Sequence, residues 1–284
     1  MDIILIIQSI ILGIVEGITE FLPVSSTGHL IIFQNLIGFK GTNAYYVEMY
    51  TYVIQLGAIL AVIVLYWRKI IDTLYNFFPS KISYEKSGLK FWLMIVLACV
   101  PGAVIGILFD DIAEQYLFYP IPVAITLFLG AILMIYAENK LRVNAMKKTV
   151  ISQGINVSAK QAIVIGLFQC LAVIPGMSRS ASTIIGGWFA GLSTVAATEF
   201  SFFLAIPVMI GMSFLKIVKI GGLGILTSQE MIALIIGFVV SFLVALVVIQ
   251  KFIAYLKRKP MRVFAVYRMI FAVVLLIAGF AGLF

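Results

Sequence analysis

Long apolar runs recur along the chain, and six of them approach or reach the length that an α-helix needs to cross a bilayer. These runs lie near 46–67, 91–109, 122–136 with its flanks, 197–217, 231–249 and 263–284. A helix of about 20 predominantly apolar residues spans the hydrocarbon layer. The pattern therefore predicts an all-α integral membrane protein with six transmembrane helices.

Two further apolar segments differ from these runs, because each stops at a proline that is followed by a polar turn. Residues 3–22 precede Pro23 and the turn VSSTGH, and residues 162–174 precede Pro175 and the turn GMSRSAST. After each turn comes a second apolar arm of about ten residues, which is too short to cross a bilayer. We therefore expect two re-entrant helical hairpins.

The order of these segments repeats in the second half of the chain. When Gly13 is aligned with Gly166, the two prolines fall within one residue of each other, and each half contains one hairpin followed by three spans. Membrane proteins often contain such repeats in inverted topology. The sequence predicts a single membrane domain, 1–284, with an inverted-topology repeat of 1–150 and 151–284.

Composition and charge agree with this topology. Hydrophobic residues make up 63% of the chain and charged residues 11%, a balance that excludes a soluble globular enzyme. Residues 68–90, 138–160 and 251–262 each contain five Lys or Arg. If the second hairpin re-enters the membrane, these loops share one face, which the positive-inside rule places in the cytoplasm. If the first hairpin re-enters as well, which the repeat and its short second arm indicate, both termini lie outside. The net charge of +8 then reflects membrane orientation, and we expect no nucleic-acid partner.

Glu16 and Glu20 are ionisable residues inside the first apolar segment, where such groups are unfavourable and usually functional. Their i, i+4 spacing places both carboxylates on one helix face, with Cβ atoms roughly 5–6 Å apart. Carboxylates this close share a proton or bind a cation, and hard divalent ions prefer such oxygen ligands. We predict a divalent cation, Mg²⁺ or Ca²⁺, on this pair; the alternative is a pair on an interfacial helix.

The first turn adds hydroxyl groups and the only histidine of the chain. Ser25 or Ser26 is expected to cap the next helix, whose free amides form an anion site where Ser25 and Thr27 contact the substrate. Ser26 and His29 share a helix face, so that hydroxyl and imidazole can cooperate, with His29 as general base, general acid or nucleophile. The alternatives are helix capping alone for the hydroxyls and a hydrogen-bonded core position for His29.

The second turn has the composition of a phosphate site. Arg179 cannot lose its charge, so its burial requires an anionic partner. The guanidinium, the helix-start amides and the hydroxyls of Ser178, Ser180 and Thr183 together suit a phosphate group. The alternative is a structural ion pair between Arg179 and a glutamate of the first hairpin.

Tyr267 and Arg268 are polar residues within the last predicted span. Because Arg268 lies only about six residues from the start of that span, we expect its side chain to extend to the membrane interface. This expectation leaves both residues outside the candidate site.

Three motifs, EGITEFLPVSSTGHL, VIQLGAILAV and PGMSRSAST, resemble those of undecaprenyl-pyrophosphate phosphatases of the bacitracin-resistance type, and the resemblance covers the whole chain. It implies a hydrolase of the bacterial plasma membrane that depends on a divalent cation and removes one phosphate from undecaprenyl diphosphate. The partners implied are this polyprenyl diphosphate and the membrane lipids. The reaction would recycle the lipid carrier of peptidoglycan synthesis and confer bacitracin resistance, at a site that we expect to open to the outer face.

Residue chemistry and resemblance together assign roles by position. The catalytic residues are Glu20, Ser26, His29 and Arg179; the substrate-binding residues are Ser25, Thr27, Ser178, Arg179, Ser180 and Thr183; the cation ligands are Glu16 and Glu20. Whether Ser26, His29 or water attacks stays open, as does the oligomeric state, for which a homodimer is one option. The competing hypothesis is a transporter or flippase of the same lipid, since inverted repeats are also a transporter architecture.

Overall fold

The computed structural model describes residues 2–79, 82–142, 145 and 156–281, and the regular structure in these ranges is helical, without strands. The α-helices are α1 (Ile3–Thr19), α2 (Ser26–Leu36), α3 (Tyr46–Leu65), α4 (Trp67–Tyr75), α5 (Gly88–Leu117), α6 (Pro120–Ala137), α7 (Ala159–Gln169), α8 (Arg179–Phe189), α9 (Thr194–Ile220), α10 (Ser228–Leu256) and α11 (Arg262–Phe280). Short 3-10 turns lie at Tyr84–Lys86, Cys170–Val173 and Leu223–Ile225, and α6 continues into a π-helical turn, Glu138–Arg142. Outside the described residues lie Lys81, Lys147 and Lys148 of the basic loops and the end of the last predicted span, 282–284.

Within these ranges six helices, α3, α5, α6, α9, α10 and α11, are long and apolar enough to cross a membrane. They follow one another in the predicted order, so the prediction of six spans is confirmed. Some begin before their apolar runs because a polar side chain caps them: Ser87 and Ser193 each accept a hydrogen bond from an amide three residues later. Large apolar side chains such as Ile107 and Ile277 point outward, as contact with lipid requires.

The two shorter apolar segments each fold as two helices joined by a turn. We call α1 and α2 the first helix pair, and α7 and α8 the second helix pair. Both turns end in the same backbone conformation, since Ser25 has φ 71° and ψ 95°, and Ser178 has φ 69° and ψ 115°. Among the described residues these are the non-glycine residues with positive φ. Each accepts an amide hydrogen bond and caps the helix that follows it.

Each helix pair packs against the other half of the chain. α1 lies along α10 and α7 lies along α5, and both α5 and α10 are the second span of their half. Small residues allow the close approach: a Cβ on Gly17 would lie 2.7 Å from the Ser241 carbonyl oxygen, and one on Gly166 would lie 2.5 Å from that of Ala98. α3 packs on α9 and α10, and α6 packs on α11. This interleaving brings the end of α1 into contact with the start of α8.

Candidate active site

An ion pair joins the two turns. Arg179, the first residue of α8, donates from Nη2 to Glu20 Oε1 at 2.7 Å and from Nη1 to the Ser201 carbonyl oxygen at 3.2 Å. Both side chains of the pair are buried, with 12% and 5% of their surface exposed. This is the ion pair that the sequence indicated as the alternative to phosphate binding by Arg179. It holds a guanidinium and a carboxylate next to each other in a buried position.

Ser26 shares the Glu20 carboxylate with Arg179. Its hydroxyl donates to Glu20 Oε2 at 2.6 Å. Ser25 is the N-cap of α2, so Ser26 is the first helical residue, and its side chain faces the end of α1. The carboxylate therefore orients the hydroxyl and can accept its proton.

Glu16 is fully buried and lies close enough to Glu20 for the two carboxyl groups to interact. In the part of the chain that the structure describes, neither oxygen of Glu16 has a hydrogen-bond partner. A buried charge without a partner is unfavourable, so the carboxylate fits a cation ligand. Among the described residues, no cluster of three or more His, Cys, Asp or Glu could hold a metal. A cation on Glu16 would take further oxygens from phosphate and water, as Mg²⁺ commonly does.

His29 makes hydrogen bonds through both ring nitrogens. Nδ1 lies 2.7 Å from the Ser25 carbonyl oxygen, and Nε2 lies 2.7 Å from the Tyr267 hydroxyl. Because a carbonyl only accepts, Nδ1 carries the hydrogen, and Nε2 of the neutral ring accepts from Tyr267. Phe271 stacks on the imidazole with ring centroids 4.1 Å apart. The expected partnership of His29 with Ser26 is replaced by two separate contacts, Ser26 with Glu20 and His29 with Tyr267.

The other predicted hydroxyls make contacts within and between the turns. Ser178 caps α8, and Ser180 donates to the Leu22 carbonyl oxygen at 3.1 Å, which ties the second turn to the first. The hydroxyl of Thr183 lies 2.6 Å from that of Ser201 and donates to the Arg179 carbonyl oxygen. Thr27, in the first turn of α2, is partly exposed. The roles of these residues in substrate binding stay predictions.

Tyr267 and Arg268, neighbours on α11, belong to the site although the sequence pattern left them outside it. The expectation that Arg268 reaches the interface is wrong: its side chain is fully buried, and Nη2 donates to the Gly176 carbonyl oxygen at 2.8 Å. Gly130 on α6 leaves the room that the guanidinium occupies. One helix thus holds both turns, the first through Tyr267 and the second through Arg268. A charged residue beside a tyrosine in an apolar span was the signal that could have indicated this.

The geometry can be compared with known proteins. A family model described as "Bacitracin resistance protein BacA" matches residues 9–274. The chain belongs to the BacA family. The family match contains both turns and residues 262–274 of α11, and so every residue of the candidate site.

Relatives of the chain are similar to it over almost their full lengths. A protein of Ruminiclostridium cellulolyticum named undecaprenyl-diphosphatase is 63% identical over 279 residues, which are 98% of either chain. One of Clostridium tetani with the same name is 54% identical over 273 residues, 96% of either chain. Undecaprenyl-diphosphatase 2 of Clostridioides difficile is 46% identical and is matched over 100% of this chain and 98% of its own.

Proposed function

We propose that this BacA-family protein hydrolyses undecaprenyl diphosphate to undecaprenyl phosphate and inorganic phosphate. The observation that carries the proposal is the full-length identity of 63% to a relative named undecaprenyl-diphosphatase. The two turns bring Arg179, Glu20 and Ser26 into contact. A guanidinium that can bind phosphate then lies beside a hydroxyl that a carboxylate can deprotonate, as this reaction requires. The reaction returns the lipid carrier to cell-wall synthesis and protects the cell against bacitracin, in keeping with the family's description.

Arg179 and the first turns of α2 and α8 bind the diphosphate in this proposal. Amides at the start of a helix have no intrahelical partner and attract anions. The guanidinium already lies in the site, held by Glu20 and the Ser201 carbonyl oxygen. Thr183 supports Arg179 through its backbone, and Ser180 keeps the two turns together.

Ser26 attacks the terminal phosphorus. As the bond from Ser26 Oγ to phosphorus forms, the hydroxyl proton passes to Glu20 Oε2, and the bond from phosphorus to the bridging oxygen breaks. Undecaprenyl phosphate leaves with that oxygen, and a phosphoserine remains. Arg179 and the amides neutralise the charge on the transferring group, which is the main source of rate in phosphoryl transfer. The 2.6 Å contact between Ser26 and Glu20 supports this choice over attack by His29.

His29 acts in the second step, through Tyr267. A water attacks the phosphoserine and gives its proton to Tyr267 Oη, while the Tyr267 proton moves to His29 Nε2. The bond from phosphorus to Ser26 Oγ breaks, and Ser26 takes its proton back from Glu20. Phosphate leaves, and His29 loses its extra proton to solvent. Tyr267 suits the relay because its hydroxyl forms a hydrogen bond with His29 Nε2.

Glu16 would hold a divalent cation together with Glu20. A bound cation supplies charge neutralisation for the phosphate oxygens. Glu16 is the principal ligand in this proposal, because both oxygens of Glu20 already accept from Arg179 and Ser26.

The membrane arrangement that we propose is an inverted repeat of 1–150 and 151–284 in a single domain, with both helix pairs re-entrant. Its support is the matching conformation of Ser25 and Ser178 and the reciprocal packing of α1 on α10 and α7 on α5. With the basic loops in the cytoplasm of a bacterial plasma membrane, the site opens to the outer face. One chain supplies every site residue, so the reaction needs no second copy, and a homodimer stays a prediction.

The test is phosphate release from undecaprenyl diphosphate by the purified protein in detergent, with Mg²⁺ or Ca²⁺ added. Arg179→Lys, which removes the forked guanidinium, should lower kcat/KM by about a hundredfold or more. The exposed Arg258→Lys is the matched control and should keep wild-type activity. No phosphate release by the wild type, together with movement of the lipid across vesicles, would overturn the proposal in favour of a flippase.

A further inference from the structure

α4 packs on the protein through Lys69, Ile70 and Thr73, a face that is mostly polar. Lys69 forms an ion pair with Glu199 of α9 at 2.9 Å, and the Trp92 indole of α5 donates to the Thr73 hydroxyl at 3.0 Å. No side chain of α4 is buried. In a soluble protein the apolar face of such a helix would face inward, so α4 is oriented for an apolar surrounding.

The outward face of α4 is a stripe of large apolar side chains. Trp67, Ile71, Leu74 and Tyr75 are 56%, 42%, 52% and 86% exposed, and Phe78 just beyond the helix is 70% exposed. Their spacing places them on one helix face. α4 starts directly after α3, a candidate span, so it stands where the chain leaves the hydrocarbon layer. Aromatic and aliphatic side chains at this level insert at the boundary of headgroups and acyl chains.

Behind α4 lies a half-open cavity of about 290 Å³ between α4, the turn Tyr84–Lys86 and the start of α5. Its polar lining is formed by Lys69, Thr73, Glu85, Lys86, Ser87, Lys90 and Asn156. Its apolar lining is formed by Phe91, Met94, Val157 and Phe200. The position of α4 sets this cavity at the level of the lipid headgroups. A lining that combines charged and apolar side chains matches the junction of a headgroup with its acyl chains.

The charges around the cavity leave one positive charge in excess. Lys90 pairs with Glu85 and donates to Asn156 at 2.8 Å. The hydrogen bond from Lys90 lowers the pKa of Glu85, so this acid is ionised. Lys69 pairs with Glu199. Lys86 forms no ion pair within the described part of the chain, so its charge is the one in excess.

We propose that this cavity binds the phosphodiester headgroup of an anionic phospholipid, with Lys86 as the recognising cation. A phosphodiester carries one negative charge, which matches the excess. The basic loop 68–90 belongs to the face that the positive-inside rule assigns to the cytoplasm, and basic pockets on that face commonly bind anionic headgroups. The proposal is independent of the catalytic activity and of the residues that carry it.

The test uses the full chain, purified and delipidated in a neutral detergent. Its apparent unfolding temperature is measured against increasing dioctanoyl phosphatidylglycerol, dioctanoyl phosphatidylcholine and inorganic phosphate. Phosphatidylglycerol should raise the temperature with saturation, and neither other ligand should reproduce this. Lys86→Gln should increase the half-saturating concentration about fivefold, the effect of one basic side chain at a lipid surface. Lys86→Arg, which keeps the charge, should restore it.

Lys257→Gln is the matched control, because Lys257 is an exposed lysine of the last basic loop. It should bind phosphatidylglycerol as the wild type does. Equal responses of Lys86→Gln and Lys257→Gln would overturn the site, as would equal stabilisation by both lipids. Stabilisation by inorganic phosphate with the same dependence on Lys86 would overturn the assignment to a headgroup and indicate a site for free anions.

Discussion

Glu20 is the residue on which the site converges, because one of its oxygens accepts from Arg179 and the other from Ser26. The arrangement gives one carboxylate two functions: it compensates a buried guanidinium, and it orients a hydroxyl. A buried ion pair is weak evidence for stability, since desolvation offsets much of the attraction. The proposed chemistry gives this ion pair a function besides stability.

Tyr267→Phe tests the proton relay at the scale of one atom. The variant keeps the aromatic ring near Phe271 and removes the hydroxyl that contacts His29 Nε2. We expect kcat to fall about a hundredfold, the usual contribution of a general base, and KM to fall in parallel, so that kcat/KM, which reports the first step, changes little. Since only the second step is slowed, the phosphoenzyme should accumulate. Tyr255→Phe, which removes a hydroxyl that donates to Pro260, is the control; equal kinetics of the two variants would contradict the relay.

Glu16→Gln tests the cation ligand without relying on activity. In cation-free buffer the variant should be at least as stable as the wild type, because a buried carboxyl group without a hydrogen-bond partner among the described residues is replaced by a neutral amide of the same size. Mg²⁺ or Ca²⁺ should raise the unfolding temperature of the wild type and leave that of Glu16→Gln almost unchanged. The exposed Asp72→Asn should respond as the wild type does. A full response of Glu16→Gln would exclude Glu16 as the ligand.

Local sequence indicated the residues of the two turns but could not pair them correctly. Helical spacing joined Ser26 to His29, whereas the fold joins Ser26 to Glu20 across the turn. The partner of His29, Tyr267, lies 238 positions along the chain, a separation that no local pattern reports. Sequence placed Arg268 at the interface from its distance to the start of the span. The true position could not be predicted in this way, because burial against another helix is a tertiary property.

α1 carries Glu16 and ends at Glu20, so its packing against α10 determines where both carboxylates lie. Gly13 and Gly17 bring it against the backbone of α10. Hydropathy predicted the spans well, since bilayer thickness fixes their length. The boundaries differed where caps such as Ser193 start a helix before its apolar run.

Gly17→Ala tests this packing. The added Cβ would lie 2.7 Å from the Ser241 carbonyl oxygen and 2.7 Å from Val244 Cβ, so α1 must move away from α10. Overpacking of this kind costs about 1–3 kcal/mol, and it would displace both glutamates. The unfolding temperature and phosphate release should both fall. Gly211→Ala, at a helix position with nothing within 4 Å of the added Cβ, should be neutral or slightly stabilising; similar losses in both variants would contradict a specific contact.

The whole molecule is arranged so that each half completes the other. α1 packs on α10 and α7 packs on α5, while α11 contacts both turns. The order of the apolar segments and the charge of the loops could be read from the sequence, and the internal repeat inferred from them stays a prediction. The interleaving of the halves could not, because it depends on which surfaces meet.

Cysteine labelling tests the orientation of the whole chain. In a cysteine-free background, a membrane-impermeant maleimide applied to intact cells should label Ile4→Cys, Ala44→Cys and Gln229→Cys. Lys160→Cys and Lys257→Cys should be labelled only after lysis. Protection of Ile4→Cys with labelling of Ala44→Cys would mean that the first helix pair contains a crossing. Labelling of Lys257→Cys in intact cells would mean that the last three spans have the opposite orientation.

The central claim of this account is that Ser26 attacks the phosphate within a site assembled from both halves. Undecaprenyl diphosphate labelled in its terminal phosphate, mixed with the purified protein and quenched within the first turnover, tests it directly. We predict an acid-stable adduct that maps to Ser26, is absent in Ser26→Ala and increases in Tyr267→Phe. An adduct on His29, or phosphate release by the wild type with no adduct at any quench time, would contradict the claim.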